Sequence, residues 1–547
     1  MPCDALSNNA GYRDAEALNN RLAVFDDDDR GANAIFVPAI KMDLSRRLFL
    51  SRSAAFAATS LYAAVPRFQR YPFSLGVMSG DPSPDGFVLW TRLAPDPLRG
   101  GGMDPGAVVE VEWQVAEDEA MRKVVRKGKA AAAPMLAHSI HVEVSGLKSQ
   151  RPYWYRFKAG KEVSAIGRAL TTPRPGETPA RLKFAFASCQ HWETGLWTAY
   201  RHMLADDPDL VVHLGDYIYE GKPGAAGIRK HNSEEIVSLS AYRNRHALYK
   251  TDPAIQAMHH HCPWILTWDD HEVDNNYAGD IAEDTQTRAE LLERRANAYQ
   301  AYYEHMPLRL PARPEGSRMQ LYRGIGFGDL AEFSVIDTRQ YRTDQPCGDG
   351  LKAPCDATFD PQATILGQEQ EAWLKSNLDQ SHAKWNIVAN QVMMARLDLK
   401  PGPDEALSMD QWSGYESCRA RFMEFLRDRK PANPIVITGD IHSNWVNDLK
   451  VDWKNEHAPA VASEFVGTSI SSGGDGSDER PTTPDWYREN PHLKMFNGRR
   501  GYVNITLDAS QCRVDYRIVP YVTKPDAPII THSSWIVENG RPGVHKA

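Results

Sequence analysis

The chain has 547 residues, of which 42% are hydrophobic and 24% charged, as is usual for a folded protein with a large core. Its formal net charge of −8 argues against a general nucleic-acid-binding protein, because such proteins present a basic face to phosphates. The length alone favours three or four domains.

The first predicted element is an export signal at residues 42–66. Arg46 and Arg47 form a twin arginine, and an Ala-rich apolar stretch follows at residues 53–65. This stretch is too short to span a bilayer comfortably, and the order of charged, apolar and small residues is that of a signal peptide for the bacterial Tat route. We therefore expect the Tat export machinery as a partner and a periplasmic or secreted location.

Residues 1–41 precede this signal and include a run of aspartates at 26–29. They would place the signal inside the chain, so we expect either a disordered extension or a translation start at Met42. No other apolar stretch is long enough for a transmembrane helix, and we expect no stable membrane anchor.

Residues 71–175 are predicted to form a β-sandwich. Segment 109–115 alternates between apolar and polar residues, and the apolar segments 87–91, 141–144 and 153–157 are separated by turns rich in Gly, Pro and Asp. Several short strands over about 100 residues are typical of a sandwich. The Pro- and Gly-containing segment 172–176 is predicted to be a linker.

After the linker, short continuous apolar runs each end in polar residues. Such runs are typical of strands covered on both faces, and helices are predicted between them at about 287–305, 367–378 and 416–429. Strands alternating with helices indicate an α/β domain over residues 180–530. Loops at the strand ends of such domains gather into one site.

These strand ends offer ligands of two chemical kinds. Oxygen donors that suit calcium or magnesium come from three aspartates, Asp216, Asp270 and Asp440. Donors that suit a transition metal come from Cys189, Tyr219 and His442. Tyrosinate in particular favours ferric iron. Each residue alone is typical of a helix cap or a packed core, but together they predict a site for more than one metal ion.

Long segments of the chain resemble the PhoD-type alkaline phosphatase and phosphodiesterase family, a branch of the calcineurin-like metallophosphatases. The matching segments lie between about residues 73 and 502 and include FAFASCQ, HLGDYIYEG, TWDDHEVDNNYAGD and ITGDIHSNW. The resemblance implies an α/β (α+β) fold, with a four-layer αββα metallophosphatase domain after an immunoglobulin- or fibronectin-like β-sandwich. It implies a metal-dependent phosphoric ester hydrolase that acts on phosphomonoesters, phosphodiesters or both with a metal-activated hydroxide.

The resemblance also implies Fe³⁺ and one or two Ca²⁺ ions as cofactors. It assigns Cys189, Tyr219 and His442 to iron and makes Asp216 a bridging carboxylate. It also implies that Asp270 and Asn276 are calcium-side ligands and that Asp440 belongs to the same cluster. Asp269-Asp270 replaces the Gly-Asn of other branches, and the added negative charge suits calcium better than a second transition metal.

Four residues are candidates for catalysis. We expect His271 to donate a proton to the leaving alkoxide, and the alternative is a structural histidine that orients the Asp270 loop. Substrate phosphate contacts are predicted for Arg245, Arg339 and Asn390, since arginine binds phosphate in bidentate fashion, although structural arginines are commoner.

Cys347 and Cys355 flank a loop that contains Gly and Pro, and a local disulfide is plausible there in an oxidising compartment. We expect a monomer that acts on a small phosphate ester or a phosphodiester polymer. The alternatives are a purple-acid-phosphatase-like enzyme, which would need more histidine ligands, and a non-catalytic exported protein that binds phosphate or calcium. A β-sandwich adhesion protein with a degenerate second domain is a third alternative.

Overall fold

The computed structural model describes residues 66–547. The predicted extension at 1–41 and the predicted Tat signal at 42–66, apart from its last residue, lie outside the described residues. Among residues 66–547, no helix combines the length and the apolar character needed to cross a membrane.

The N-terminal strands pack as two antiparallel layers. In chain order they are β1 (Val77–Ser83), β2 (Gly86–Arg92), β3 (Val109–Ala116), β4 (Val124–Ala132), β5 (Ser139–Val144), β6 (Arg151–Ala159), β7 (Glu162–Val163) and β8 (Gly167–Thr171). One layer has the order β1-β2-β5, and the other has β4-β3-β6, with β7 and β8 both pairing with β6. Leu89 of β2, Val111 of β3 and Tyr155 of β6 share one buried apolar core. The predicted sandwich is therefore present.

Sixteen further strands follow the linker. They are β9 (Leu182–Ala187), β10 (Leu210–His213), β11 (Trp264–Leu266), β12 (Arg323–Phe327), β13 (Ala331–Val335), β14 (Leu351–Lys352), β15 (Trp385–Ala389), β16 (Leu407–Ser408), β17 (Pro434–Thr438), β18 (Asn444–Lys450), β19 (Ala460–Val466), β20 (Gly476–Ser477), β21 (Leu493–Leu507), β22 (Gln511–Val519), β23 (Ile530–Glu538) and β24 (Arg541–Lys546).

Seven α-helices accompany these strands. They are α1 (Thr198–Ala205), α2 (Leu239–Lys250), α3 (Pro253–His261), α4 (Arg288–His305), α5 (Gly367–Gln380), α6 (Glu416–Arg429) and α7 (Thr483–Glu489). The three predicted helices correspond to α4, α5 and α6. Thr287 caps α4, and Glu290 completes a capping box that fixes the start of this helix.

Most of the strands form two large sheets. The first has the order β11-β10-β9-β21-β22-β23-β24, and β9, β10 and β11 run parallel. The second has the order β12-β13-β15-β17-β19-β18-β21, with β13, β15, β17 and β19 parallel. The long strand β21 belongs to both sheets, because its start pairs with β18 and its end with β9.

The two sheets stack face to face and are covered by helices on their outer faces. In β9, Phe184 and Phe186 enter the core between the sheets, whereas Ala185 and Ala187 face the helices of the first sheet. Residues of α5 and α6 pack with β15 and β17 on the outer side of the second sheet. This arrangement is the predicted αββα order, and it explains why the strands have apolar residues at successive positions.

The sandwich is joined to the first sheet through its backbone. Gly80 of β1 pairs in parallel with Trp264 of β11, so β1, β2 and β5 extend the sheet that carries the strand ends. The described residues form one compact unit, and the three or four domains that the length favours are not seen there.

Four of the seven helices, α1, α2, α3 and α7, and the last two strands were not predicted. Helix α2 buries Arg245, His246 and Lys250, so its inner face does not have the apolar repeat that marks a helix in sequence. Strands β23 and β24 form a partly exposed hairpin at the edge of the first sheet, where the Pro-containing sequence gave little strand signal.

Replacing Gly80 by alanine should loosen the junction between the sandwich and the first sheet. A Cβ at this position would lie 2.7 Å from the carbonyl oxygen of Pro307 and 2.8 Å from that of Trp264, and these backbone atoms have little freedom to move. We expect Gly80→Ala to lower the free energy of unfolding by about 1–3 kcal/mol. Gly106→Ala is the control, since its Cβ would meet only the Asp104 carboxylate at 3.6 Å. Equal urea midpoints for Gly80→Ala and the wild type would contradict this account.

Candidate metal centre

The predicted ligands converge at the carboxyl ends of four strands. Cys189 follows β9, Asp216 follows β10, Asp270 follows β11, and Asp440 and His442 follow β17. Three groups of possible ligands form there, and in each group the ligand atoms lie within 4.8 Å of one another. The groups are Cys189 with Asp216 and His442, Asp216 with Asp270 and His271, and Asp269 with Asp270 and Asp440.

Tyr219 contacts the first group, although it is not one of the three residues that form it. Its hydroxyl donates to Asp216 Oδ2 at 2.7 Å, lies 3.3 Å from His442 Nε2 and accepts a hydrogen bond from Ser472 Oγ at 2.7 Å. Thiol, phenol, imidazole and carboxylate groups therefore surround one point, and Asp216 connects this point to the second group.

Five of the seven candidate ligand residues have a left-handed backbone. The φ angles are 58° for Cys189, 54° for Asp216, 49° for Asn276, 66° for Asp440 and 53° for His442. Non-glycine residues in this region carry a conformational cost, and such residues cluster at functional sites. The chain therefore turns sharply at these candidate ligands.

Burial determines the acid–base properties of Cys189, Tyr219 and His442. Desolvation, and then the Asp216 carboxylate, raise the pKa of the Cys189 thiol well above its usual value, and the same two causes raise the pKa of Tyr219. Desolvation lowers the pKa of His442 to about 3, so its imidazole is neutral and able to ligate. A bound cation would favour the thiolate and the phenolate.

The group formed by Asp269, Asp270 and Asp440 offers only oxygen donors, and it is called the oxygen-donor side below. Asp269 and Asp270 are buried, and Asp440 is half-buried. Six buried carboxylate oxygens among the described residues have no hydrogen-bond partner, and three of them belong to this centre, Asp216 Oδ1, Asp269 Oδ2 and Asp270 Oδ1. Buried oxygens of this kind are costly unless a cation or a donor satisfies them, so the donor set fits metal ions.

Glu272 holds two of the ligand turns together. Its carboxylate accepts hydrogen bonds from the backbone N–H groups of Asp216 at 3.1 Å, Tyr217 at 2.5 Å and Asp269 at 2.9 Å. No role is predicted for Glu272 from the sequence, where its place at the end of the Asp-Asp-His-Glu string is the available signal.

His271 lies against the candidate ligand Tyr219. Its ring centroid is 4.1 Å from that of Tyr219, and its Nδ1 lies 2.8 Å from Glu220 Oε2. Desolvation alone would lower the pKa of His271, but the carboxylates of Glu220, Asp270 and Asp216 raise it well above the usual value. Glu220 also accepts from the backbone N–H of Asn275, so it fixes this loop as well as the imidazole.

Arg339 is fully buried beneath the oxygen donors. Its Nε lies 2.5 Å from Asp269 Oδ1, and its two terminal nitrogens donate to the Asp410 carboxylate at 2.7 and 2.9 Å. It also lies 3.8 Å from Asp270 and 3.7 Å from Asp440. These contacts make Arg339 a counter-charge for the carboxylates, which differs from the substrate contact expected from sequence.

Arg245 and Asn390 are also fully buried. Arg245 donates to the backbone carbonyl groups of Tyr219 and Gly221, and thereby supports the Tyr219 turn. Asn390 donates to Thr438 Oγ1 at 3.1 Å and accepts from the indole N–H of Trp412 at 3.1 Å, which links the ends of β15 and β17. Both residues have positioning contacts in place of the substrate contacts expected from sequence.

Asn276 contacts the oxygen-donor side through its backbone. Its N–H donates to Asp270 Oδ2 at 2.8 Å, and its side-chain amide donates to Asp349 Oδ2 at 2.9 Å. Asp349 lies in a loop closed by a disulfide between Cys347 and Cys355, the pairing considered plausible from sequence. Asp349 was not predicted, because its proximity to Asn276 depends on the tertiary fold.

Removal of the Arg339 charge should destabilise the protein in a pH-dependent way. Arg339→Met leaves buried carboxylates without their counter-charge, and we expect a loss of about 3–5 kcal/mol at neutral pH. Burial would raise the pKa of Asp410, but Arg339 and Arg342 hold it well below the usual value. This stabilisation is present above the unfolded pKa of about 3.9 and is lost as pH falls towards the folded value.

The difference between Arg339→Met and the wild type should therefore shrink below about pH 4, as measured by urea unfolding from pH 3 to pH 8. Arg201→Met is the control, because Arg201 pairs with Asp526 at an exposed site and its loss should cost about 0–1 kcal/mol. A deficit for Arg339→Met that is independent of pH would contradict the counter-charge role.

Comparison with known proteins agrees with the resemblance seen in the sequence. Residues 184–516 match the PhoD-like phosphatase family, and residues 57–173 match the N-terminal domain of the same family. Alkaline phosphatase D of Bacillus subtilis (strain 168) is 50% identical over 488 residues, which cover 88% of this chain and 84% of the relative. A solved structure described as the structure of PhoD matches with a TM-score of 0.87 and 49% identity, over 88% of this chain and 93% of that one. The chain thus belongs to the PhoD-like phosphatase family and is a phosphoric ester hydrolase.

Proposed function

We propose that this enzyme hydrolyses phosphomonoesters, phosphodiesters or both at a mixed iron and calcium centre, after Tat-dependent export to the periplasm or the medium. The observation that carries the proposal is the adjacency of two kinds of candidate ligand group, which are joined by a third group that contains Asp216 and Asp270. Cys189, Asp216 and His442 form one group, and Asp269, Asp270 and Asp440 form the other. The name of the Bacillus relative, alkaline phosphatase D, supports ester hydrolysis.

Donor chemistry supports the division between the two ions. Thiolate, tyrosinate and imidazole favour a transition metal, and tyrosinate favours ferric iron, so iron belongs with Cys189, Tyr219 and His442. Carboxylate and amide oxygens favour calcium, which belongs with Asp270, Asp440 and, through its amide oxygen, Asn276. Asp216 belongs both to the group with Cys189 and His442 and to the group with Asp270 and His271. It is therefore the candidate bridging carboxylate between the two kinds of ion.

Bound metal ions in such a centre lower the pKa of water and neutralise charge on phosphoryl oxygens. The chain's own residues hold the centre in shape. Glu272 fixes the Asp216 and Asp269 turns, and Arg339 balances the carboxylate charge beneath them. Because Nδ1 of His271 is engaged by Glu220, Nε2 is the atom that would deliver a proton to the leaving oxygen.

The competing hypotheses have less support. A purple-acid-phosphatase-like centre would need more histidines than the two that occur in the ligand groups, His271 and His442. A non-catalytic binding protein or an adhesion protein would have lost ligands, whereas the candidate ligands here still cluster. The substrate therefore remains a phosphate ester whose organic part the metal centre itself does not specify.

Cys189→Ser should reduce iron content and activity together, because serine replaces a thiolate ligand with a poorly acidic hydroxyl. We expect a fall of at least about 10–100-fold in the hydrolysis of p-nitrophenyl phosphate and bis(p-nitrophenyl) phosphate. Metal analysis of protein exported by its native host gives the iron and calcium contents. Cys418→Ser, at another buried free cysteine, is the matched control and should keep its iron. A Cys189→Ser enzyme with full iron and full rate would refute the ligand assignment.

His271→Ala should slow poor leaving groups more than good ones. An alkyl ester needs a proton on its departing oxygen, so we expect a loss of about 10²–10⁴-fold, whereas a nitrophenyl ester should lose much less. Values of kcat for alkyl and nitrophenyl phosphates measure the difference. His202→Ala serves as control, because His202 contacts the backbone of Ala527 instead of the centre. Equal losses on both substrates would indicate that His271 orients the loop without acting as an acid.

A further inference from the structure

A cavity of about 170 Å³ opens beside the oxygen-donor side of the metal centre. Its wall is largely apolar and comes from the loops that follow β15 and β17, from the start of β18 and from helix α7. The apolar lining residues include Met393, Ala395, Leu397, Leu399, Trp445 and Trp486. None of these residues takes part in the metal centre, so the proposed hydrolysis leaves the cavity without a role.

The cavity is directly connected to the ligand turn. Ile441 lines it and lies in the chain between the ligands Asp440 and His442. Gln411 also lines it, and its side-chain amide donates to Asp440 Oδ2 at 2.5 Å. A molecule whose phosphoryl group is held at the oxygen-donor side therefore has the cavity next to it.

The wall of the cavity is preformed. Trp445 and Trp486 are 3% and 6% exposed, and their ring centroids are 5.3 Å apart. The Trp445 indole N–H donates to Ser443 Oγ at 2.8 Å, and that hydroxyl donates to the Ile441 carbonyl at 3.0 Å. These bonds tie the aromatic wall to the Asp440–His442 turn, so little rearrangement is needed to admit an apolar group.

A cation stands at the rim. Arg480 lines the cavity, and its guanidinium lies 5.7 Å from the Trp486 ring centroid and 5.6 Å from that of Phe496. Within the described part of the chain, Arg480 forms no ion pair, and it is exposed. In a chain with a net charge of −8, this local positive charge complements an anionic phosphate.

We propose that this cavity binds the organic group of the phosphate ester and selects esters that carry one aromatic ring or an alkyl group of similar size. A dry apolar cavity of about 150 Å³ holds one benzene ring, so the volume here suits one ring and excludes two fused rings. The inference rests on the proposed phosphoesterase function and specifies the substrate class of the same site.

Competitive inhibition by phosphonates tests the proposal, because each has one organic group and cannot be hydrolysed at its P–C bond. With the metal-loaded enzyme, we expect the inhibition constant of phenylphosphonate to be about 10–100-fold lower than that of methylphosphonate. We expect 1-naphthylphosphonate to gain nothing over methylphosphonate. Equal constants for the methyl and phenyl compounds would overturn the proposal.

Three variants check that the cavity causes the preference. Ala395→Leu narrows it and should abolish the advantage of the phenyl compound, whereas Leu399→Ala widens it and should improve binding of the naphthyl compound by about tenfold. Leu399 is only partly buried, so this second variant is the safer one if Ala395→Leu fails to fold. Ala383→Leu is the matched control at a separate surface cleft, and it should keep the wild-type order.

Arg480→Gln should raise the inhibition constants of all three phosphonates by a similar factor and keep their order, since it removes charge without reshaping the cavity. Retention of the phenyl preference in Ala395→Leu would refute the cavity assignment. If the metal-loaded enzyme hydrolyses no phosphate ester, the proposed function itself fails. If it hydrolyses esters but shows no phosphonate preference, the cavity assignment alone fails.

Discussion

The crowding of carboxylates at one end of the two sheets is the constraint on which the rest of the structure depends. Asp216, Asp269 and Asp270 are buried there, and each has an oxygen without a hydrogen-bond partner among the described residues. Arg339 supplies a fixed counter-charge from below, and bound cations would supply the remainder from within. The fold therefore depends on compensating positive charge to keep these carboxylates buried.

The sheets give this centre its rigidity. Strand β21 is part of both sheets, so the loops after β9, β10 and β11 are fixed relative to those after β17. Glu272 then ties two of the loops together through backbone N–H groups. Ligands that are distant in sequence are held by main-chain bonds, which leaves the side chains free for the ions.

The cavity beside Asp440 adds a second kind of recognition to the centre. Metal ions and Arg480 recognise phosphate, which every candidate substrate has, so they cannot choose among organic groups. An apolar cavity can make this choice, because the gain from burying a group depends on its size and shape. Its two tryptophans are held to the ligand turn by hydrogen bonds, so the reaction site and the specificity site form one unit.

Local chemistry in the sequence determined the candidate ligands at the strand ends, the sandwich pattern and three of the helices. Cys189, Asp216, Asp270, Asp440 and His442 were identifiable because each follows a buried apolar run, whose residue types show burial directly. Helix α2 was not predicted, since its inner face buries charged and polar side chains against distant partners.

Only the tertiary structure decided the roles of Arg245, Arg339, Asn390 and Glu272. An arginine that binds phosphate and one that balances buried carboxylates look identical in sequence, and the difference lies in which groups the fold brings within hydrogen-bonding distance. The same reason applies to the cavity, whose walls come from three separate segments of the chain.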